Sequence, residues 1–124
     1  MKLRVARHTD DLEPIIKFYR DILGLEIIGE FNNHSNYDGV FFGKEGLDWH
    51  LEYTTSSESA DHKPDKDDLL VFYVDSEKEY IKLKERFNNN GISPVVPKNP
   101  YWKENGLTYT DPDGFRIVIS ILNK

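Results

Sequence analysis

Polar residues of catalytic type stand at alternate positions in three otherwise apolar, strand-like stretches. Arg4 and His8 alternate with Leu3 and Val5, and His50 and Glu52 alternate with Trp49, Leu51 and Tyr53. Arg116 sits beside the run Phe115, Ile117, Ile119 and Ile121. Successive side chains of a strand point to opposite faces, so each apolar set packs inward and each polar set shares the other face. An arginine fork suits a carboxylate or enolate oxygen. A histidine whose neutral form is present near pH 7 suits general acid or base work. His50 and Glu52 are therefore the candidate catalytic pair. Tyr101 and Trp102 fall in an Asn- and Pro-containing loop with no periodic reason for burial, where large rings can wall a pocket. The candidate ligand-binding set is Arg4, His8, His50, Glu52, Tyr101, Trp102 and Arg116. A plainer reading of the same residues is a solvated sheet face on which Arg4 and Arg116 pair with Glu52 or Asp48. His34 and His62 lie in polar stretches and are expected in solvent.

The elements that position these residues come in duplicate. Asp10 with Glu13, and Ser76 with Glu79, have the spacing of a helix capping box, 66 positions apart. Ile15, Phe18, Tyr19, Ile22 and Leu23 then form one apolar helical stripe that Gly24 can end, and Tyr80, Leu83 and Phe87 form a thinner one closed at Gly91. After the first helix, strands are expected near 25–31, 37–42 and 47–53. After the second they are expected near 92–96, 107–110 and 115–121, with Pro94 and Pro97 demoting the first of these to an edge or a short strand. The turns Gly43-Lys44-Glu45-Gly46 and Asp111-Pro112-Asp113-Gly114 correspond. The expectation is one domain over 1–124 made of two βαβββ modules, 1–54 and 68–124, joined by a polar linker at 55–67. A half of about 60 residues with one helix buries little by itself, so the modules are expected to share a core or pair their sheets.

Composition removes several classes of function. The 124 residues carry 16 Lys and Arg against 22 Asp and Glu, a formal charge of −6, and no basic patch is segregated, which disfavours nucleic acid. With no cysteine, disulfides, thiolate metal sites and thiol nucleophiles are excluded. No apolar run reaches the roughly 20 residues that span a bilayer, and the amino terminus lacks the apolar core of a signal peptide. The default is a cytoplasmic protein without membrane contact. No nucleophile elbow, phosphate loop or calcium loop is present.

The segment Thr9-Asp10-Asp11-Leu12-Glu13, then Phe18-Tyr19-Arg20-Asp21-Ile22-Leu23-Gly24-Leu25, and later Asp111-Pro112-Asp113-Gly114-Phe115-Arg116-Ile117, resemble the vicinal oxygen chelate superfamily. That superfamily includes glyoxalase I, bleomycin and fosfomycin resistance proteins and extradiol dioxygenases. The stretch Asn99-Pro100-Tyr101-Trp102 looks closest to a glyoxalase-like branch. The resemblance implies an α+β fold, two βαβββ modules forming an incompletely closed barrel around a cup, and a homodimer. It also implies divalent-metal ligands at the positions of Arg4, His50, Leu69 and Val118, with Val71 or Tyr73 as substitutes for Leu69. His50 alone among these is a ligand type, and a guanidinium stays charged at any usable pH. No metal or other cofactor is therefore expected. An unconventional set of His8, His50 and Glu52 is the competing metal reading. Three functions stay open: a metal-free cup for a small organic molecule, a metal-dependent lyase, isomerase or dioxygenase, and a structural dimerisation module.

Overall fold

A computed structural model describes residues 1–122. The chain divides into two compact units, residues 1–62 and 63–124.

In the first unit, β1 (Leu3–His8), β2 (Glu26–His34), β3 (Tyr37–Gly43) and β4 (Trp49–Thr55) form a sheet in the order β1-β4-β3-β2. The β1–β4 pairing is parallel and sets Arg4 beside His50, Ala6 beside Glu52 and His8 beside Thr54. Hairpin pairing then sets Phe41 beside Glu52 and Gly39 beside Thr54. Helix α1 (Leu12–Ile16) runs on as a π-helical segment, Lys17–Ile22. The wider π turn, closed by a 2.9 Å bond from Leu23 N–H to Phe18 O, lets Phe18, Tyr19, Ile22 and Leu23 all be buried. Gly24 ends it at φ 94°, in the left-handed region that glycine enters without strain. Tyr19 packs against Phe42 and Tyr53 with ring centroids 5.8 and 5.3 Å away, and Tyr53 donates to the Tyr19 hydroxyl at 3.1 Å. Arg7 Nη1 in turn donates to the Tyr53 hydroxyl. The cap is Asp11, whose carboxylate accepts from Glu13 N–H, rather than the expected Asp10, which accepts from Ala60 N–H at 2.7 Å.

The second unit holds β5 (Leu69–Val74), α2 (Glu77–Asn89), α3 (Tyr101–Asn105), β6 (Leu107–Thr110) and β7 (Arg116–Ile121), with sheet order β5-β7-β6. Ser76 caps α2 as its spacing predicts, accepting from Glu79 N–H at 3.2 Å. Phe87 stacks on Tyr109 at 3.9 Å and 8°, and burial there pushes the Tyr109 phenol up to about 12. The strand expected at 92–96 shrinks to one bridge, Val95 to Thr108. Pro94 and Pro97 flank it and have no N–H to extend a ladder.

Candidate ligand-binding site

Parallel pairing of β1 with β4 puts Arg4, Ala6, His8, His50, Glu52 and Thr54 on one sheet face, opposite α1. Arg4 reaches across β4. Its Nε donates to His50 Nε2 at 2.8 Å, its Nη1 stands 4.0 Å from Glu52 Oε1, and its Cζ lies 4.8 Å from the centre of the Phe41 ring on β3. The Phe41 ring meets His50 edge-on at 5.7 Å. Guanidinium nitrogens only donate, so Nε2 is the acceptor and the neutral imidazole carries its proton on Nδ1. That Nδ1 is buried and has no hydrogen-bond partner. Burial first, then the charges of Arg4 and Lys2, hold the His50 pKa below its ordinary value, with Glu52 pulling weakly the other way. His50 is thus a neutral rest for Arg4, its basic lone pair already engaged.

Glu52 is different. Its side chain is 14% exposed, against 51% for Arg4, and its carboxylate makes no hydrogen bond among the described residues. A carboxylate in that position keeps its acceptor capacity for something else. Beside this group, Lys2, Glu26, Ile28, Lys44, Trp49 and His50 line a cleft of about 430 Å³.

His8 shares the face but is occupied. Its Nδ1 meets Thr54 Oγ1 at 2.9 Å, and its Nε2 meets the Glu58 carbonyl at 3.0 Å and Ser56 Oγ at 3.2 Å. A carbonyl accepts only, so Nε2 carries the proton and Nδ1 accepts from Thr54. His62 is partly buried, with Nε2 on the His8 carbonyl, and so is not the solvated histidine that its polar surroundings predict. His34 is exposed and meets Phe31 edge-on.

In the second unit, Arg116 Nη1 donates to the Val96 carbonyl at 3.1 Å, so it braces the loop before α3 instead of joining an acid. Tyr101 and Trp102 lie on α3, a short helix that reads as loop in the sequence. Asn99 starts it by accepting from Tyr101 N–H at 3.0 Å. Tyr101 is 59% exposed, and the two rings meet edge-on at 4.8 Å.

The divalent metal implied by the superfamily does not fit this donor set. Arg4 is a cation, and the one imidazole at these positions gives its lone pair to it. Leu69 and Val118 have none to give, and Val118 is fully buried. The set His8, His50 and Glu52 is not assembled either. Both His8 nitrogens are engaged, and no three His, Cys, Asp or Glu side chains converge among the described residues.

Sequence reasoning missed the aromatic half of this face. Phe31 and Phe41 lie 5.9 Å apart on β2 and β3. A Cβ on Gly39 would stand 2.3 Å from the Phe31 ring, and one on Gly29 would stand 3.3 Å from Phe41. The glycines therefore let both rings lie low on the sheet. The signal was present as glycine on either side of Phe41 on one strand face, Gly39 and Gly43, which reads as room left for a neighbour.

Residues 3–54 match the YycE-like N-terminal domain and residues 67–120 the YycE-like C-terminal domain. The YycE protein of Bacillus subtilis (strain 168) is 44% identical over 118 residues, covering 94% of this chain and 85% of its own. A crystal structure of B. subtilis YycE superposes with a TM-score of 0.87 at 43% identity, over 96% of this chain and 88% of that one. Two more distant structures share the fold. Trypanothione-dependent glyoxalase I of Leishmania major has a TM-score of 0.75 at 21% identity, covering 98% and 86% of the two chains. TnmS3, an antibiotic binding protein from Streptomyces sp. CB03234, has 0.69 at 18%, covering 98% and 94%. The chain belongs to the YycE family and, with its α+β glyoxalase/bleomycin resistance fold, to the vicinal oxygen chelate superfamily.

Proposed function

We propose that this chain binds a small organic molecule, without a metal, against the Arg4–His50–Glu52 face of its first module. The observation that carries the reading is the loose Arg4–Glu52 pair. At 4.0 Å it is too long for a hydrogen bond, so a mostly buried carboxylate and a half-exposed guanidinium each keep unused valence on one surface. In this reading Arg4 donates to an oxygen of the guest, Glu52 accepts from a donor on it or removes a proton, and His50 is a positioning residue that orients Arg4. The fold does not choose between binding and catalysis, since it serves both a glyoxalase and an antibiotic binding protein.

A fragment screen by thermal shift tests this. Some fragments are expected to raise the melting temperature of the wild-type chain, to lose that effect in Arg4→Ala, and to be weakened or re-ranked in Glu52→Gln. Hits that stabilise both variants as well as wild type would remove the site. A divalent ion held tightly in a way that depends on His50 would overturn the metal-free reading.

A further inference from the structure

The same face has a second half that narrows the class of guest, an inference that rests on the binding role proposed for Arg4 and Glu52. Gly29, Gly39 and Gly43 place no side chain over β2 and β3. Their missing Cβ atoms allow Phe31 to lie across Gly39 and Phe41 to lie against Gly29. Both rings remain partly exposed beside the polar residues of β1 and β4; they are tilted 47° to each other, and the Arg4 guanidinium already lies over Phe41 at 4.8 Å, so Phe31 is the ring left for a guest. A flat aromatic body gains from lying against Phe31, because ring-on-ring contact adds to the area it removes from water.

The polar border offers one donor and one acceptor side by side. Arg4 Nε is committed to His50, which leaves its terminal nitrogens to donate, and Glu52 Oε1 stands 4.0 Å from Nη1. A carboxylate guest would satisfy Arg4 but would bring a second negative charge against Glu52 in a partly desolvated setting. An ammonium guest would meet Arg4 in the same unfavourable way. A neutral group with an acceptor and a donor on one carbon satisfies both side chains at once and leaves neither charge facing its like. We infer that the guest is a flat aromatic molecule carrying a neutral carboxamide-type group, its ring against Phe31, its carbonyl oxygen on Arg4 where the guanidinium rests over Phe41, and its N–H on Glu52.

Calorimetric titration of the full chain with benzamide, benzoate and cyclohexanecarboxamide tests this. Benzamide is expected to bind about tenfold more tightly than either competitor, which corresponds to about 1.4 kcal/mol. Glu52→Gln is expected to erase the preference over benzoate, because the charge that repels the carboxylate is gone. Arg4→Ala and Arg4→Lys are both expected to abolish benzamide binding, the lysine variant keeping the charge but losing the fork. Benzoate binding as well as or better than benzamide, while still depending on Arg4, would overturn the neutral-group assignment and leave the binding role standing. Equal binding of cyclohexanecarboxamide would overturn the aromatic assignment alone. If none of the three probes bound and the fragment screen gave no Arg4-dependent hit, both readings would fall.

Discussion

At the scale of single residues, His50 shows how an identity that invites a catalytic role can be turned to another use. Its Nε2 accepts from Arg4, so protonation there would set two cations against each other at 2.8 Å. The folded state therefore disfavours the charged imidazole, in line with the lowered pKa. Above the ordinary histidine value of about 6.5 both folded and unfolded chains hold it neutral, and nothing is lost. As pH falls below that value the unfolded chain takes up the proton first, so stability drops until the folded pKa is passed. Melting temperature followed from pH 7.5 to 5 is expected to fall more steeply for wild type than for His50→Gln. Parallel curves would remove the proposed constraint. The polar face itself was legible in the sequence, because strand alternation assigns Arg4, His8, His50 and Glu52 to one side. What each does there was not, since long side chains reach diagonally across strands. Arg4 crossing β4 to Phe41, and Arg116 turning to a loop carbonyl, depend on rotamers that no periodicity records.

Among the elements, those specified by local rules were the legible ones. The Ser76 cap, the termination at Gly24 and strand β6 at 107–110 fall where spacing predicts. The features that escaped prediction are set by contacts distant in sequence. The π-helical segment follows from fitting five buried residues against one sheet, and α3 begins from its cap position at Pro100, after a turn in which the Asn99 side chain accepts from Tyr101 N–H. Gly106 after α3 illustrates the same dependence. Its backbone is extended, so its need for glycine is steric: an added Cβ would stand 2.7 Å from both the Ile119 carbonyl oxygen and Val118 Cγ1. The carbonyl belongs to the central strand β7 and cannot give way. Gly106→Ala is expected to cost about 1–3 kcal/mol in urea unfolding. Gly91→Ala has open space around its Cβ, and its cost would come from the left-handed backbone alone.

For the molecule as a whole, the duplicated pattern of caps and turns foretold two sheets of similar plan, and the structure holds a four-stranded and a three-stranded one. The pattern overstated the likeness, because the prolines of the second unit reduce its second strand to a bridge. Among the described residues, each sheet ends in strands with no ladder partner on one side, β1 and β2 in the first and β5 in the second, with Leu3 59% and Tyr73 54% exposed along them. Uncovered edges carrying apolar side chains favour self-association. We accordingly propose a homodimer, and light scattering on the eluting protein is expected to give twice the 14.5 kDa chain mass. A mass equal to one chain across micromolar concentrations would sink that proposal.

The stretch 55–67 has the composition of a free tether, yet it is fastened from both ends. Toward the amino side, His8, Asp10 and the His62 ring moor residues 56–62 to the first strand. Toward the carboxyl side, Asp65 is held by Lys98, and Pro64 comes close to Gly114. Lys63 is thus left as an exposed link between two sets of moorings. A tag, a cleavage sequence or a fluorescent reporter spliced in at that link would lengthen the chain without undoing any of them, whereas the same insert a few residues earlier would unfasten the first strand.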